Sequence, residues 1–326
     1  MRKIKILVSV LLIYWLVSQY GGSALDSLSR LQSSESILYI ILALLFSFSD
    51  KLLRIWNFKL VLERSNICIP YPRLVNISFI SMFFGFFLPG GAGPDIARII
   101  QLKKYSQGLA KSASATMWVN IATVLAAGVL TFISAQLSLL FDLPFDHQLL
   151  KFVILFSLAL LVGGGLVLNR WSQRFVRFFV EDVLLKSKSV LHRLAVKFLD
   201  VFSSQIGALV LPKAIAISVV VLLLAGIRTY FLSEAIGLNI SVIFYLIVLP
   251  LILFLTMIPV SFAGIGVREY SFVYFLGTAA VPETDAFLLG LMVTMVNILL
   301  STVGGIVYLY TISTLRLDSA ASKNKK

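Results

Sequence analysis

Cysteine and histidine are nearly absent from this 326-residue chain: one Cys, Cys68, and two His, His147 and His192. A single thiol excludes an internal disulfide framework, and two histidines leave no His-rich metal site. Charge is scarce as well. Asp, Glu, Lys and Arg make up 13% of the residues, about half the share of a soluble domain. What is abundant is apolar: 59% of residues are hydrophobic and the mean hydropathy is +0.97. A soluble globule cannot bury that much apolar surface. A cytosolic enzyme, a disordered chain and a secreted disulfide scaffold are therefore excluded, and a polytopic membrane protein remains. Acids are the scarcer charge, 15 against 28 Lys and Arg, for a net charge of +13. Such an excess also suits nucleic acid, but the bases lie dispersed among apolar runs, and their placement decides against it.

Apolar runs of spanning length, about 20 residues, occupy 6–20, 36–58, 74–88, 112–140, 152–169 and 214–233. The stretch 242–312 is apolar nearly throughout, with a break at 259–266 and a loop near 282–285. Nothing alternates as a strand does. The first run, behind Arg2, Lys3 and Lys5, has a second reading as a cleaved signal peptide, with Gly22, Ser23 and Ala24 near the cut. A retained span agrees better with the topology that follows.

Basic residues collect on the cytoplasmic side of bacterial-type spans. With the N-terminus inside, the run 74–88 should cross outward, yet Arg98, Lys103, Lys104 and Lys111 follow it. A re-entrant hairpin, broken at Pro89, Gly90, Gly91 and Gly93, keeps those bases inside. A second hairpin, broken at Pro259, Gly264 and Gly266, enters from the opposite face. On this path 24 of the 28 bases lie inside, and the outer loops hold seven acids against two bases. The bases that escape the sorting are Arg30, Lys151, Arg228 and Arg268.

The expectation is an all-α polytopic membrane protein. It has six spanning helices, two re-entrant helical hairpins and both termini cytoplasmic. Residues 1–141 form a first repeat and 151–312 a second of opposite direction, as in inverted-topology transporters. The alternative is that Gly and Pro merely kink membrane helices. Within the second repeat, 170–213 carries charges at mostly helical spacing, which fits amphipathic helices on the inner leaflet or a solvated linker helix. Residues 313–326 are expected to be a disordered cytoplasmic tail. The protein is expected to be multi-pass in the cytoplasmic (inner) membrane.

Broken helices leave backbone N–H and C=O groups without partners. They survive at membrane depth where they are buried in protein or line a wet cavity. Each break here precedes a short returning helix, whose N-terminus offers free N–H groups and partial positive charge. Two such ends meeting from opposite faces make an anion site. The candidate headgroup-binding residues are Arg98, Arg268, Arg228, Asp95 and Glu269. Charged groups at membrane depth are costly and are functional candidates for that reason. Arg228 has two other readings: a snorkel outward or a pair with Glu234. Asp95 with Arg98, and Arg268 with Glu269, can equally be ion pairs that hold the hairpins. Asp50 and Lys51 are expected at the inner end of the second span. No nucleophile elbow, zinc cluster or phosphate-cradling Gly-Lys-Ser/Thr occurs, so no catalytic residue, metal or cofactor is assigned. Cys68, beside Pro70 in a cytoplasmic loop, is expected to be inert.

The two breaks resemble the transmembrane region of lysylphosphatidylglycerol synthases, a flippase-like membrane family. The resemblance is carried by Leu88-Pro89-Gly90-Gly91 with Asp95 and Arg98, and by Ile258-Pro259-Val260-Ser261 with Gly264, Gly266, Val267, Arg268 and Glu269. Arg54-Ile55-Trp56 adds to it. It covers most of the chain. It implies an integral membrane protein that moves, or helps move, a lipid or lipid-linked sugar between leaflets. Full-length synthases add a soluble aminoacyl-transferase domain after this region. That domain is not expected here, and its synthetic activity is not carried over. The family often has an acid–Arg pair in the span after the first hairpin. Val119-Asn120 stand there instead, so no substrate contact is carried over at that pair.

The leading expectation is a translocase for an anionic lipid, its partners being membrane lipids and not nucleic acid. Two alternatives stand beside it. One is a non-transporting partner or scaffold of a lipid-modifying enzyme or glycosyltransferase, and the other is a membrane-embedded lipid transferase.

Overall fold

The computed structural model describes residues 18, 33–88, 93–106, 108–140, 147–168, 210–257, 261 and 264–323. The first expected span, the loop 141–146, the amphipathic segment up to residue 209, and Pro89, Gly90, Gly91 and Pro259 lie outside the described residues. Nine helices are described: α1 Ser34–Arg64, α2 Tyr71–Gly85, α3 Gly93–Leu102, α4 Leu109–Leu140, α5 His147–Leu168, α6 Val210–Ala235, α7 Val242–Met257, α8 Val267–Gly277 and α9 Glu283–Lys323. No strand occurs among the described residues. The last helix runs to Lys323.

Five helices are long and apolar enough to cross a membrane: Ser34–Arg64, Leu109–Leu140, His147–Leu166, Val210–Ala235 and Glu283–Thr311. They correspond to the five expected spans that fall on described residues. The protein is a multi-pass membrane protein of all-helical fold. The other four helices are too short to cross alone. At 1.5 Å per residue, the ten residues of α3 reach about 15 Å, roughly half the hydrocarbon thickness.

The short helices come as two pairs. In the first, α3 runs back along α2: Gln101 Nε2 donates to Ser81 Oγ at 2.8 Å. The backbones touch where the chain turns. A Cβ on Gly85 would stand 2.5 Å from Pro94 N, and one on Gly93 would overlap the Gly85 carbonyl. That contact explains why glycine holds both positions. In the second pair, α7 and α8 flank a turn in which Gly264 (φ +78°) and Gly266 (φ +87°) adopt left-handed backbone, a conformation costly for other residues. The Arg268 N–H then bonds the Gly264 carbonyl at 2.9 Å and the Tyr270 N–H the Gly266 carbonyl at 3.0 Å, which starts α8.

The bundle is built around α1 and α6, its most extensive helix pair. Buried Asn57 locks them, donating to the Ala214 carbonyl at 3.0 Å and to Ser218 Oγ at 2.9 Å. Phe231 stacks against Tyr39 and Phe46. The remaining contacts come in matched sets. The pair α2–α9 is matched by α7–α4, α8–α9 by α3–α4, and α2–α3 by α7–α8. The contacts of α4 and α2 with α6 and α1 exchange in the same way. Helices one to four thus trade places with helices six to nine without changing who packs against whom.

Small residues allow this close packing, as is usual between membrane helices. In α4 they include buried Ala122, Ala126, Ala127 and Gly128. At the α2–α9 crossing, a Cβ on Gly304 would overlap the Phe79 carbonyl. Gly304→Ala should therefore lower the unfolding temperature of the purified protein by several degrees, from about 1–3 kcal/mol of overpacking. Gly163 faces open space, so Gly163→Ala should leave that temperature unchanged or raise it.

Candidate functional site

Near the middle of α1, Asp50 is 1% exposed. With 31 residues, α1 is about 46 Å long, longer than the hydrocarbon layer is thick, and the charged turn lies near the helix middle. Three cations converge on Asp50. Lys51 Nζ donates to its Oδ2 at 2.9 Å. Arg54 Nη2, one turn along, stands 3.5 Å from Oδ1. Arg228 Nη1 reaches across from α6 to 3.9 Å from Oδ2. Arg228 is thus paired with Asp50, which accounts for its place at depth better than a snorkel or a pair with Glu234. Its Nε has no hydrogen-bond partner among the described residues.

These groups line a cavity of about 310 Å³. Gly85, Phe86 and Pro94 reach it from the first break; Thr256, Arg268 and Phe272 reach it from the second. Asn297 and Ser301 of α9 add polar groups, and Leu222, Leu246 and Leu253 supply apolar wall. Both returning helices therefore present their first turns to one space. Among the described residues its lining carries four cations, Lys51, Arg54, Arg228 and Arg268, against the single anion Asp50. At about 4 Å, two unit charges near a protein surface interact by roughly 4 kcal/mol, and each desolvated ion costs several more. Such an excess has a physical reason to exist where an anion completes it.

The other predicted residues serve the frame. Glu269 is 2% exposed and caps α8: its Oε2 accepts from the Gly266 N–H at 2.6 Å. Its Oε1 accepts a short bond from the Thr294 hydroxyl, which in turn accepts from Arg268 Nη1 at 3.1 Å. Arg268 is thereby aimed along the cavity wall. Arg98 is buried but does not line the cavity. It lies over the Phe58 ring, 5.0 Å from its centroid, with Nη1 3.4 Å from Asp95 Oδ1. Asp95 Oδ2 accepts from Asn120 Nδ2 at 2.9 Å. Asn120 of α4 is thus tied to α3. Of the five predicted headgroup residues, the structure brings Arg228 and Arg268 together at the cavity and sets Asp95, Arg98 and Glu269 behind it. Cys68 is exposed in the linker between α1 and α2.

The two halves repeat this framing in detail. An acid of the returning helix bonds a polar residue 25 positions later in both: Asp95 with Asn120, and Glu269 with Thr294. Asp95 and Glu269 are 174 residues apart, as are Asn120 and Thr294, and as are Arg54 and Arg228. The matched arginines Arg54 and Arg228 lie on the two central helices and flank Asp50.

Residues 3–305 match the lysylphosphatidylglycerol synthase TM region family. The chain belongs to that family. It is also similar to the UPF0104 membrane protein MJ1078 of Methanocaldococcus jannaschii. The two are 25% identical over 235 residues, which make up 71% of this chain and 94% of that protein. The expected family is therefore shown. Within this family member, the charged groups missing from the expected site were Asp50, Lys51 and Arg54. The available signal was the spacing of Asp50 and Arg54, one helical turn apart inside an apolar run.

Glu269→Ala should strand the Gly266 N–H and the Thr294 hydroxyl in a buried place. A loss of about 1–3 kcal/mol per stranded group is expected, seen as a lower unfolding temperature in detergent. Glu269→Gln, whose single amide oxygen can still accept from the Gly266 N–H while its NH2 group can only donate towards the Thr294 oxygen, should recover part of it.

Proposed function

We propose that the protein is a flippase-like translocase that moves an anionic lipid, or a lipid-linked sugar, between the leaflets of the cytoplasmic membrane. The headgroup binds in the cationic cavity, between the tips of two re-entrant hairpins that enter from opposite faces. The alkyl chains stay in the bilayer. The observation that carries this reading is the cavity itself, with four cations and one anion between two helix breaks. Arginine offers a fork of donors that matches phosphate oxygens, and Arg228 of α6 and Arg268 of α8 both line the cavity.

The matched packing and the shared 174-residue offset support an inverted-topology repeat, with termini in the cytoplasm as the charge bias requires. In such folds, one repeat rocks against the other around a midplane site. Here Asp50 with Arg228 lies between the two central helices, where such a motion would be felt. Membership in a family named for lipid synthases agrees with a lipid-related role.

The test is a leaflet-resolved assay in proteoliposomes with a labelled anionic lipid and a labelled zwitterionic one. Wild-type protein should move the anionic lipid faster. Arg228→Gln and Arg268→Gln, checked for intact folding, should each cut that rate by tenfold or more, since each removes a charge-assisted contact of about 1.5–3 kcal/mol. Unchanged rates in both variants would remove the site. No movement of any lipid by wild-type protein would favour a non-transporting partner.

A further inference from the structure

We propose that the headgroup held in this cavity carries two negative charges, as a phosphomonoester or a diphosphate does, and not the single charge of a phosphodiester. The proposal rests on the reading of the cavity as a lipid headgroup site and adds a substrate class to it.

The argument is charge balance in a partly desolvated space, where Arg228 is buried and Arg54 is about a third exposed. The cavity wall carries Lys51 and Arg54 from α1, Arg228 from α6 and Arg268 from α8, with Asp50 as the one acid. Glu269 stands behind Arg268 and is tied to it through Thr294, so its charge counts too. The wall then keeps an excess of two positive charges. The neighbouring Asp95 and Arg98 form a pair of their own and contribute nothing net. Among the described residues, no other charged side chain lines the cavity.

A buried cation without a counter-charge is expensive. A phosphodiester would neutralise one of the two and leave the other. A dianion neutralises both. The geometry agrees. Asp50 already acts as an internal anion between Arg54 and Arg228, and Arg228 Nε has no hydrogen-bond partner among the described residues. A phosphoryl group with three free oxygens can take up that donor and reach Arg268 as well, whereas a diester has two.

The pH dependence carries a definite sign. The second ionisation of a phosphomonoester lies near pH 6. Below it the headgroup becomes a monoanion and its advantage over a diester should shrink.

The experiment uses the full chain in phosphatidylcholine nanodiscs and measures displacement of a fluorescent phosphatidic acid. The competitors are phosphatidic acid, phosphatidylglycerol with the same acyl chains, and soluble glycerol 3-phosphate. At pH 8, phosphatidic acid should compete about tenfold better than phosphatidylglycerol or more, a modest return for one extra unit charge at contact distance in a partly desolvated site. That ratio should fall towards one as the pH drops from 7 to 5. Arg54→Gln, at a partly exposed side chain, lowers the excess to one and should collapse the ratio at pH 8. Equal competition by the two lipids in wild-type protein at pH 8 overturns the dianion proposal and leaves the lipid reading standing. Competition by neither lipid overturns that reading itself. Glycerol 3-phosphate separates the two sources of a phosphomonoester. Competition only at far higher concentration supports a lipid, and competition equal to phosphatidic acid overturns the lipid source in favour of a soluble anion.

Discussion

A carboxylate and a guanidinium that are both taken out of water need each other. Asp50 and Arg228 meet across α1 and α6 at 3.9 Å, both almost fully buried, and the bundle is arranged around them. Removing one partner from such a contact leaves an uncompensated charge, typically at a cost of 3–5 kcal/mol. Keeping both fixes the register of the two central helices. Asn57 does the same a few turns away, with bonds to Ala214 and Ser218. The remaining helices then pack on this axis in matched sets. The same axis also leaves a residue of positive charge. Lys51, Arg54 and Arg268 line a cavity in which Asp50 is the one acid among the described residues.

The second constraint is backbone hydrogen bonding. A helix that stops inside a membrane must find partners for its last carbonyls and the next helix's first N–H groups. Here the breaks solve the problem locally. Gly85 and Gly93 let two helix ends touch, and Glu269 takes the Gly266 N–H. Two acids that look alike as candidates for substrate contact are thereby committed to the frame, one to Asn120 and one to Gly266 and Thr294. Arginines are less easily satisfied by the frame. Arg98 is settled by Asp95 and the face of Phe58. Arg268 spends one nitrogen on Thr294 and still lines the cavity.

Much of this was legible beforehand, for reasons that differ from element to element. Long apolar runs without charge mark the spans, because lipid admits nothing else, and the structure has a helix at each described one. The breaks were visible because Pro and Gly at membrane depth demand an explanation. Arg228 stood out as a lone charge in 222–232. Asp50, Lys51 and Arg54 were harder. They sit near one end of an apolar run, and nothing in the run says that the helix continues six residues beyond it to Arg64. The distinction between Arg268 and Arg98 was not legible at all. Both follow a break by nine residues, and only packing decides that one meets Phe58 while the other meets the cavity.

The central claim is that the unbalanced cations at the cavity await an anion that belongs to a lipid. The most direct measurement is a structure of the purified protein in native-lipid nanodiscs, at a resolution that shows side chains. The account predicts headgroup density inside the cavity, with a phosphoryl group within hydrogen-bond distance of Arg228 and Arg268 and its tails leading out to the bilayer. A map with ordered annular lipids but only water or protein side chains between those two arginines would contradict it.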